Sequence, residues 1–166
     1  MKNKIEIRHV TKKFKEYRAL DDVSLIFEEG KIHGIVGRNG SGKSSILKLI
    51  CGENIEYEGN FSKGSGIVIS FVPQDTSFLK GNLSEYAKNS NIDESLFKAI
   101  LRKLDFSREQ FDKNIENFSG GQKKKVLIAK SLCEKAHIYI WDEPLNFIDV
   151  ISRMQIERLI RDFEPT

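Results

Sequence analysis

Cysteine is scarce in this chain, with two residues among 166. Cys51 and Cys133 both fall in segments with helical patterning and apolar neighbours. Such positions favour buried free thiols over a disulfide or a cysteine metal site. We therefore expect a protein of a reducing compartment, and a cytoplasmic location fits this pattern.

The sequence also lacks any long apolar run. No stretch approaches the ~20 apolar residues that a membrane span requires. The first seven residues alternate as a strand does and contain no apolar signal segment. From these residues we expect neither a membrane span nor secretion through a visible signal. We also find no internal repeat and no low-complexity linker.

The chain has little excess of either charge, since it contains 27 Lys and Arg residues and 24 Asp and Glu residues. The resulting net charge of +3 is too small to imply a nucleic-acid partner by itself. The 39% hydrophobic and 31% charged residues are typical of a globular chain. A length of 166 residues fits one domain with its own core.

Periodicity predicts an α/β chain. The predicted strands cover residues 5–10, 23–27, 31–36, 67–72 and 137–141, with short antiparallel strands between 57 and 70 that turn at Gly59 and 64–66. Basic residues 12–18 and residues 28–30 should form turns. The predicted helices run from Lys43 to Gly52, through most of 82–117, from Ser119 to about 136 and from 150 to 163.

The helical stretch 82–117 interrupts the alternation of strands and helices. Asn82 and Asp93 are candidate N-caps, and the apolar positions at helical spacing are Leu96, Ile100, Leu101 and Leu104. We therefore expect a helical subdomain at 82–117, inserted into a core with a β subdomain that is built from residues 1–81 and 118–166.

A glycine-rich loop follows the apolar run at 31–36. Gly37, Gly42, Lys43 and Ser44 fill the G-x-x-x-x-G-K-[ST] template, between a predicted strand and a predicted helix. Glycines let the backbone direct several N–H groups at an anion, and the helix start adds its positive dipole end. We expect Lys43 to reach the β- and γ-phosphates of a nucleoside triphosphate and Ser44 to bind Mg²⁺. The predicted nucleotide-binding residues are Gly37, Arg38, Asn39, Gly40, Ser41, Gly42, Lys43, Ser44 and Ser45.

Two acidic residues, Asp142 and Glu143, stand directly after the apolar run 137–141. In a parallel sheet, the ligand crevice lies beyond the carboxyl ends of the strands. Asp142 would hold Mg²⁺, usually through water, and Glu143 would orient or deprotonate the water that attacks the γ-phosphate. The alternative is that Asp142 only caps a turn before Pro144, and the phosphate loop favours the catalytic interpretation.

Three motifs occur in the order and spacing of one family: the phosphate loop, Ser119-Gly120-Gly121-Gln122 and Trp141-Asp142-Glu143-Pro144. Over nearly its whole length the chain resembles the nucleotide-binding domain of ATP-binding cassette (ABC) ATPases. The resemblance implies a RecA-like P-loop NTPase core with a mostly parallel sheet, an antiparallel β subdomain and an inserted helical subdomain. It also implies ATP and Mg²⁺ as cofactors.

The resemblance assigns further residues to the nucleotide. Phe14 corresponds to the aromatic side chain that stacks on adenine, although Tyr17 is close enough to compete and Phe14 could instead be a core aromatic. Gln74 matches the glutamine that contacts Mg²⁺ and the attacking water. The implied metal-binding residues are therefore Ser44, Gln74 and Asp142, with Glu143 as the catalytic residue.

A second ABC domain is the partner that the resemblance implies. In this family the signature segment, Ser119, Gly120, Gly121 and Gln122 here, binds the ATP held by the other domain. A serine hydroxyl and two glycine N–H groups at a helix start agree with an anion site, and a cap without a ligand is the alternative. Asp149, in the segment 146–149, matches the aspartate of the loop that links the two sites of a head-to-tail pair.

Lys123, Lys124 and Lys125 follow in the first turns of the same helix. Exposed cations there oppose the helix dipole, at roughly 0.3–1 kcal/mol each. We expect either a compensating anion, the partner's ATP or RNA, or a solvated lysine run. In the first case, Lys124→Gln and Lys125→Gln would weaken anion or RNA binding in a salt-dependent way.

Residues 69–77, 81–86 and 141–150 resemble the ABC-F proteins, particularly the carboxyl-terminal ATPase domain of those that protect ribosomes from antibiotics. That resemblance implies the ribosome or ribosomal RNA as a partner. The alternative is the ATPase subunit of a membrane transporter, which docks on a membrane subunit. A regulator that binds ATP without turnover is a third class, and Glu143 argues against it.

The family pattern places a further strand, which ends in a histidine, soon after Phe163, whereas the sequence ends at Thr166. In the family's sheet that strand lies between the phosphate-loop strand and the Asp142 strand. Its loss would leave backbone hydrogen bonds unmade. We therefore expect a partial domain without its last core strands, with weak or no ATP hydrolysis by these residues alone.

Overall fold

The computed structural model describes residues 5–28, 30–38 and 40–162. These residues contain strands and helices in mixed order and divide into two compact units between Ile69 and Ser70. The elements are β1 (Ile5–Phe14), β2 (Tyr17–Phe27), α1 (Lys43–Cys51), β3 (Glu58–Lys63), β4 (Ile69–Val72), α2 (Leu83–Asn89), α3 (Glu94–Lys103), α4 (Arg108–Phe111), a 3₁₀ turn (Ile115–Asn117), α5 (Gly120–Cys133), β5 (Ile138–Trp141) and α6 (Val150–Asp162).

The first unit contains a three-stranded antiparallel sheet in the order β2-β1-β3. Ile5 and Ile7 are buried along β1, which confirms the alternation read from the sequence. Val10 is buried as well because the register shifts between Ile7 and Val10. The hairpin between β1 and β2 turns at residues 15–16, where Phe14 pairs with Tyr17. The predicted basic turn at 12–18 is therefore too wide, because cross-strand pairing continues to the end of β1.

The second unit has the larger apolar core, which lies among α2, α3 and α5. Asn82 and Asp93 cap α2 and α3 as predicted, since their side chains accept from the N–H groups of Glu85 at 2.8 Å and Leu96 at 2.6 Å. Leu96 itself is 48% exposed, and Phe97 takes the core position beside it. The core residues with under 2% exposure include Phe97, Leu101, Leu104, Ile115 and Ile128.

Strands β4 and β5 form a two-stranded sheet whose carboxyl ends lead to the predicted catalytic residues. The backbone N–H of Asp142 donates to the carbonyl of Val72 at 2.9 Å, so pairing continues just beyond both strands. Trp141 Nε1 donates to Ser131 Oγ at 2.9 Å, and Ser131 Oγ lies 2.6 Å from Ser70 Oγ. These bonds attach both strands to α5 through one buried serine.

The largest difference from the predicted strands lies before the phosphate loop. Residues 31–38 form no strand, and Ile32 and Val36 are 89% and 95% exposed. A strand forms where a neighbour completes its backbone hydrogen bonds, and none of the strands in the described ranges pairs with 31–36. The predicted buried strand is wrong because an apolar run specifies a strand only when a pairing partner exists.

Smaller differences concern glycine and element ends. Gly59 lies within β3 instead of in a turn, and β4 begins at Ile69 instead of residue 67. Within the described residues no disulfide joins Cys51 and Cys133, and both side chains are half-buried, whereas the sequence predicts buried thiols. The predicted turn at 28–30 and the predicted helix end at Phe163 each include a residue outside the described ranges.

Within the part of the chain that the structure describes, no helix has the length and apolar character needed to cross a membrane. Of the helices as they are described, α5 is the longest, with 14 residues.

Candidate functional site

The phosphate loop, residues 37–44, ends at the start of α1. Lys43 is the first residue of that helix, and its ammonium donates to the carbonyl oxygens of Gly37 at 2.7 Å and Arg38 at 3.0 Å. Ser41 N–H also donates to the Arg38 carbonyl, at 3.1 Å. The lysine that should reach phosphates therefore binds the carbonyls of its own loop in this structure. Asn39, predicted here as a binding residue, lies outside the described residues.

Gly42 shows why this loop requires glycine. It is the N-cap of α1 with a φ of 84°, in the left-handed region that favours glycine. A Cβ at Gly42 would lie 2.1 Å from the Ala19 carbonyl oxygen of β2, and a Cβ at Gly37 would lie 2.4 Å from Ser41 Oγ. A side chain at Gly42 would clash with β2 and one at Gly37 would clash with Ser41, so both positions need the glycine that a close phosphate-binding turn uses.

Two aromatic side chains flank the tip of the β1–β2 hairpin. Phe14 and Tyr17 are each 54% exposed. The Lys12 ammonium lies 4.7 Å from the centre of the Phe14 ring, whereas the Tyr17 hydroxyl donates to the Gly40 carbonyl of the phosphate loop. Tyr17 is thus the aromatic residue in contact with the loop, and the assignment of the adenine contact to Phe14 or Tyr17 stays a prediction.

Glu143 lies two residues beyond β5 and accepts hydrogen bonds from two amide side chains. Gln74 Nε2 donates to Glu143 Oε2 at 2.8 Å, and Asn146 Nδ2 donates to the same oxygen at 2.6 Å. Glu143 has a φ of 46°, in a region that a non-glycine residue seldom adopts. The structure therefore brings together Gln74 and Glu143, which are 69 residues apart and which sequence reasoning assigned to one reaction.

Asn146 is a contact that sequence reasoning missed. The sequence places it only within the segment 146–149 and predicts no role of its own. The available signal was local, since an amide three residues after a carboxylate can donate back to it within one turn. Asn146 N–H donates to the Glu143 carbonyl at 3.2 Å, which confirms such a turn.

Lys124 has neither of the roles that the sequence predicted for the lysine run. Its side chain is 1% exposed, and its ammonium donates to the carbonyls of Pro73 at 2.8 Å and Asp142 at 3.3 Å. Burial lowers the pKa of Lys124 from its ordinary value, and the charges of Asp142 and Glu143 act in the opposite direction. Both the anion-binding and the solvated interpretations are wrong for Lys124, because its side chain is buried and reaches neither solvent nor an anion at the surface.

The signature segment forms the start of α5. Ser119 Oγ accepts from Gln122 N–H at 3.2 Å while Gln122 Oε1 accepts from Ser119 N–H at 2.8 Å, which is a capping box. Gly120 and Gly121 lie against Phe147, whose side chain is 82% exposed. The cap is therefore complete within the chain, and binding of a partner's ATP by these residues stays a prediction.

Asp149 directly precedes α6 and caps its start. Asp149 Oδ1 accepts from Ser152 N–H at 2.9 Å, and Oδ2 accepts from Ser152 Oγ at 2.5 Å. These hydrogen bonds, with a smaller contribution from the charge of Lys125, hold the pKa of Asp149 below its ordinary value. Asp149 is therefore ionised at neutral pH, as a helix N-cap favours.

The three predicted magnesium ligands are Ser44, Gln74 and Asp142. Hydroxyl, amide and carboxylate oxygens are donors that Mg²⁺ accepts, with water and phosphate oxygens completing its shell. Among residues 5–28, 30–38 and 40–162, no three His, Cys, Asp or Glu side chains gather in a way that could hold a metal. Each of the three predicted ligands thus offers an oxygen of the kind that Mg²⁺ accepts alongside the phosphate oxygens of a nucleotide.

Comparison with known proteins relates the chain to one family. The ABC transporter family matches residues 20–146. The manganese transport system ATP-binding protein MntB of Bacillus subtilis is 31% identical over an alignment of 184 positions. The alignment covers 96% of this chain and 72% of that protein. The energy-dependent translational throttle protein EttA of Haemophilus influenzae is 26% identical over 167 residues, which cover 96% of this chain and 30% of that protein.

The chain spans only part of its curated relatives, from 26% to 73% of their lengths. Among solved structures, a putative ABC transporter (ATP-binding protein) from Pyrococcus furiosus matches with a TM-score of 0.80 at 22% identity, covering 96% of this chain and 85% of that one. This likeness confirms the predicted α/β P-loop NTPase fold. With the family matched over residues 20–146 and a relative 31% identical along 96% of the chain, this protein belongs to the ABC transporter family of ATPase domains.

Proposed function

We propose that this chain binds ATP and, paired with a second ABC domain, hydrolyses it with Glu143 as the general base. The contact between Gln74 and Glu143 carries the proposal. It joins, at 2.8 Å, the two side chains that a hydrolytic water would have to meet, at the carboxyl end of β5. General-base catalysis requires such a carboxylate within hydrogen-bond reach of the water.

Each segment of the proposed site has a defined task. The phosphate loop binds the triphosphate through backbone N–H groups and Lys43, which exchanges its loop carbonyls for phosphate oxygens. Ser44, Asp142 and Gln74 would hold Mg²⁺, which neutralises charge on the β- and γ-phosphates. Glu143 accepts the proton of the attacking water, and the amides of Gln74 and Asn146 orient its carboxylate.

The first experiment replaces the proposed base. In the complete, paired protein, Glu143→Gln keeps the size of the side chain and removes its proton affinity, so steady-state phosphate release should fall by at least about 100-fold. Binding of a fluorescent ATP analogue should stay within about twofold, because the phosphate loop is unchanged. The control is Glu157→Gln, whose carboxylate lies on the surface of α6 beside Arg161. Wild-type turnover in Glu143→Gln would refute the assignment.

We also propose that Ser119, Gly120, Gly121 and Gln122 face the ATP of the second domain, with Asp149 in the loop between the two sites. The support is their common location, since Gly120 and Gly121 contact Phe147, two residues before Asp149. Trapped ATP should then promote pairing. Light scattering of the Glu143→Gln protein should show an ATP-dependent increase in mass, or in compactness if both domains share one chain. An ATP-independent mass and shape would exclude the arrangement.

For the biological role we propose an ABC-F protein that acts on the ribosome, because the sequences of residues 69–77 and 141–150 resemble those of ABC-F proteins. The relative named for translational throttling supports this role, and the relative named for manganese transport supports a transporter subunit instead. The ATP-trapped Glu143→Gln protein separates the two roles. Pelleting with ribosomes through a sucrose cushion is expected for an ABC-F protein, whereas stable capture by a membrane fraction without pelleting would establish the transporter role.

A further inference from the structure

The ammonium of Lys124 is a buried charge to which the proposed mechanism gives no task. Lys124 lies in α5, five residues beyond Ser119, and is 1% exposed. Its ammonium donates to the carbonyl of Pro73 at 2.8 Å and of Asp142 at 3.3 Å. Pro73 and Asp142 follow the carboxyl ends of β4 and β5, so one side chain bridges the ends of both strands.

Each of the two bridged carbonyls belongs to the residue just before one member of the Gln74–Glu143 hydrogen bond. Pro73 immediately precedes Gln74, and Asp142 immediately precedes Glu143. The peptide groups that lead into both members of the Gln74–Glu143 hydrogen bond are therefore fixed by the same ammonium. Because that ammonium belongs to α5, the helix that starts with the signature segment is attached to the same two peptides.

Burial of the Lys124 ammonium costs free energy of folding. A contribution to stability therefore does not explain why a lysine occupies this position. A buried ammonium loses its hydration, and an apolar side chain of similar volume is commonly as stable or more stable. The lowered pKa of Lys124 reflects that desolvation. The geometry gives what an apolar side chain lacks, namely two directed donors that hold the ends of β4 and β5 at a set separation.

We propose that Lys124 is a positioning residue that holds Gln74 and Glu143 at hydrogen-bond distance and couples them to the start of α5. The inference rests on the proposed function, since it assigns to Lys124 the placement of the proposed base. It predicts that loss of the bridge lowers turnover while the phosphate loop still binds ATP.

The test compares Lys124→Met, which has no donor, with Lys124→Gln, whose amide is one bond shorter and can reach one carbonyl. Lys130→Met is the matched control, because it removes another lysine of α5, which pairs with Glu134, and leaves the bridge intact. In the complete protein, Lys124→Met should lower kcat by about tenfold or more, within the range for a misplaced reacting group. Lys124→Gln should fall between it and wild type. KM for ATP and binding of a fluorescent ATP analogue should stay within about twofold, as for groups that act only in the transition state.

A double-mutant cycle separates positioning from general destabilisation. In a Gln74→Ala background the Lys124→Met substitution should cost much less in kcat, because one member of the positioned pair is already gone. Equal losses in both backgrounds, or a wild-type kcat in Lys124→Met, would overturn the inference. If Lys124→Met does not fold, Lys124→Gln decides, and its wild-type kcat would overturn it as well. Absence of ATPase activity in the wild-type protein would instead refute the proposed function.

Discussion

Gly120 and Gly121 are neighbours at the start of α5, and the structure predicts opposite effects when each is changed to alanine. A Cβ at Gly121 would lie 2.6 Å from the carbonyl oxygen of Phe147, which is closer than carbon and oxygen atoms approach in proteins. A Cβ at Gly120 would lie 3.7 Å from the Phe147 Cβ, an ordinary contact distance. The clash at Gly121 involves backbone, so either the 146–149 segment or α5 must move.

The size of the effect follows from this difference. Overpacking against fixed atoms costs about 1–3 kcal/mol. Replacement of glycine by alanine in a helix gains up to about 1 kcal/mol, and both positions share that gain because both lie in the first turn of α5. The propensity contribution therefore cancels between the variants, and Gly121→Ala should be less stable than Gly120→Ala by about 1–3 kcal/mol.

Thermal unfolding followed by circular dichroism at 222 nm measures this difference. Helices α2 to α6 all lie in the second unit, so the signal reports mainly on the unit that contains both glycines. A difference of 1 kcal/mol corresponds to about 2–4 °C in Tm for chains of 150–250 residues. We expect Gly120→Ala to melt at or above the wild-type Tm and Gly121→Ala several degrees below it. Equal Tm values for the two variants would refute the contact between Gly121 and Phe147.

Two further predictions concern titrating groups of the second unit. Burial, with smaller contributions from Asp93 and Glu134, raises the pKa of Cys133 to about 12. At pH 8 the native protein should therefore be alkylated by iodoacetamide at Cys133 more than about 100-fold more slowly than a free thiol of ordinary pKa, as measured by mass spectrometry of the Cys133 peptide. Alkylation at the rate of a small thiol would contradict this. Asp149 has a folded-state pKa below its unfolded value of about 3.9, so its carboxylate stabilises the fold above that pH, and the stabilisation is lost as the pH falls through the folded pKa. Asp149→Asn should lower Tm at pH 7, and the gap to wild type should shrink toward pH 3, whereas a gap that is constant with pH would exclude the hydrogen bonds with Ser152 as its cause.

Features that depend on a few neighbouring residues could be predicted from the sequence. Asn82 and Asp93 cap their helices because a side-chain acceptor two or three residues before free N–H groups is a local arrangement. Ser119 caps α5 for the same reason. In each case the interacting groups are within four residues of each other, so the local pattern contains the whole interaction.

Features that depend on distant partners could not be predicted in this way. The apolar run 31–36 has the composition of a buried strand, but its state depends on whether another strand pairs with it. The prediction for Lys124 fails for a similar reason, because its acceptors are distant in sequence. The Pro73 carbonyl lies 51 residues earlier in the chain, and the Asp142 carbonyl lies 18 residues later. A run of three lysines indicates solvent or an anion when only the neighbours in sequence are considered.

The carboxylate of Glu143 combines both kinds of information. Asn146, three residues away, and Gln74, 69 residues away, donate to the same oxygen. The left-handed backbone conformation of Glu143 costs of order 1–3 kcal/mol of conformational free energy. Such a conformation persists only when the surrounding contacts specify it. Those contacts, the two amides and the carbonyl of Asp142 that Lys124 holds, all lie in the second unit. The orientation of the proposed base is thus set within that unit, so substitutions at Asn146 and Lys124 should change turnover without changing the phosphate loop.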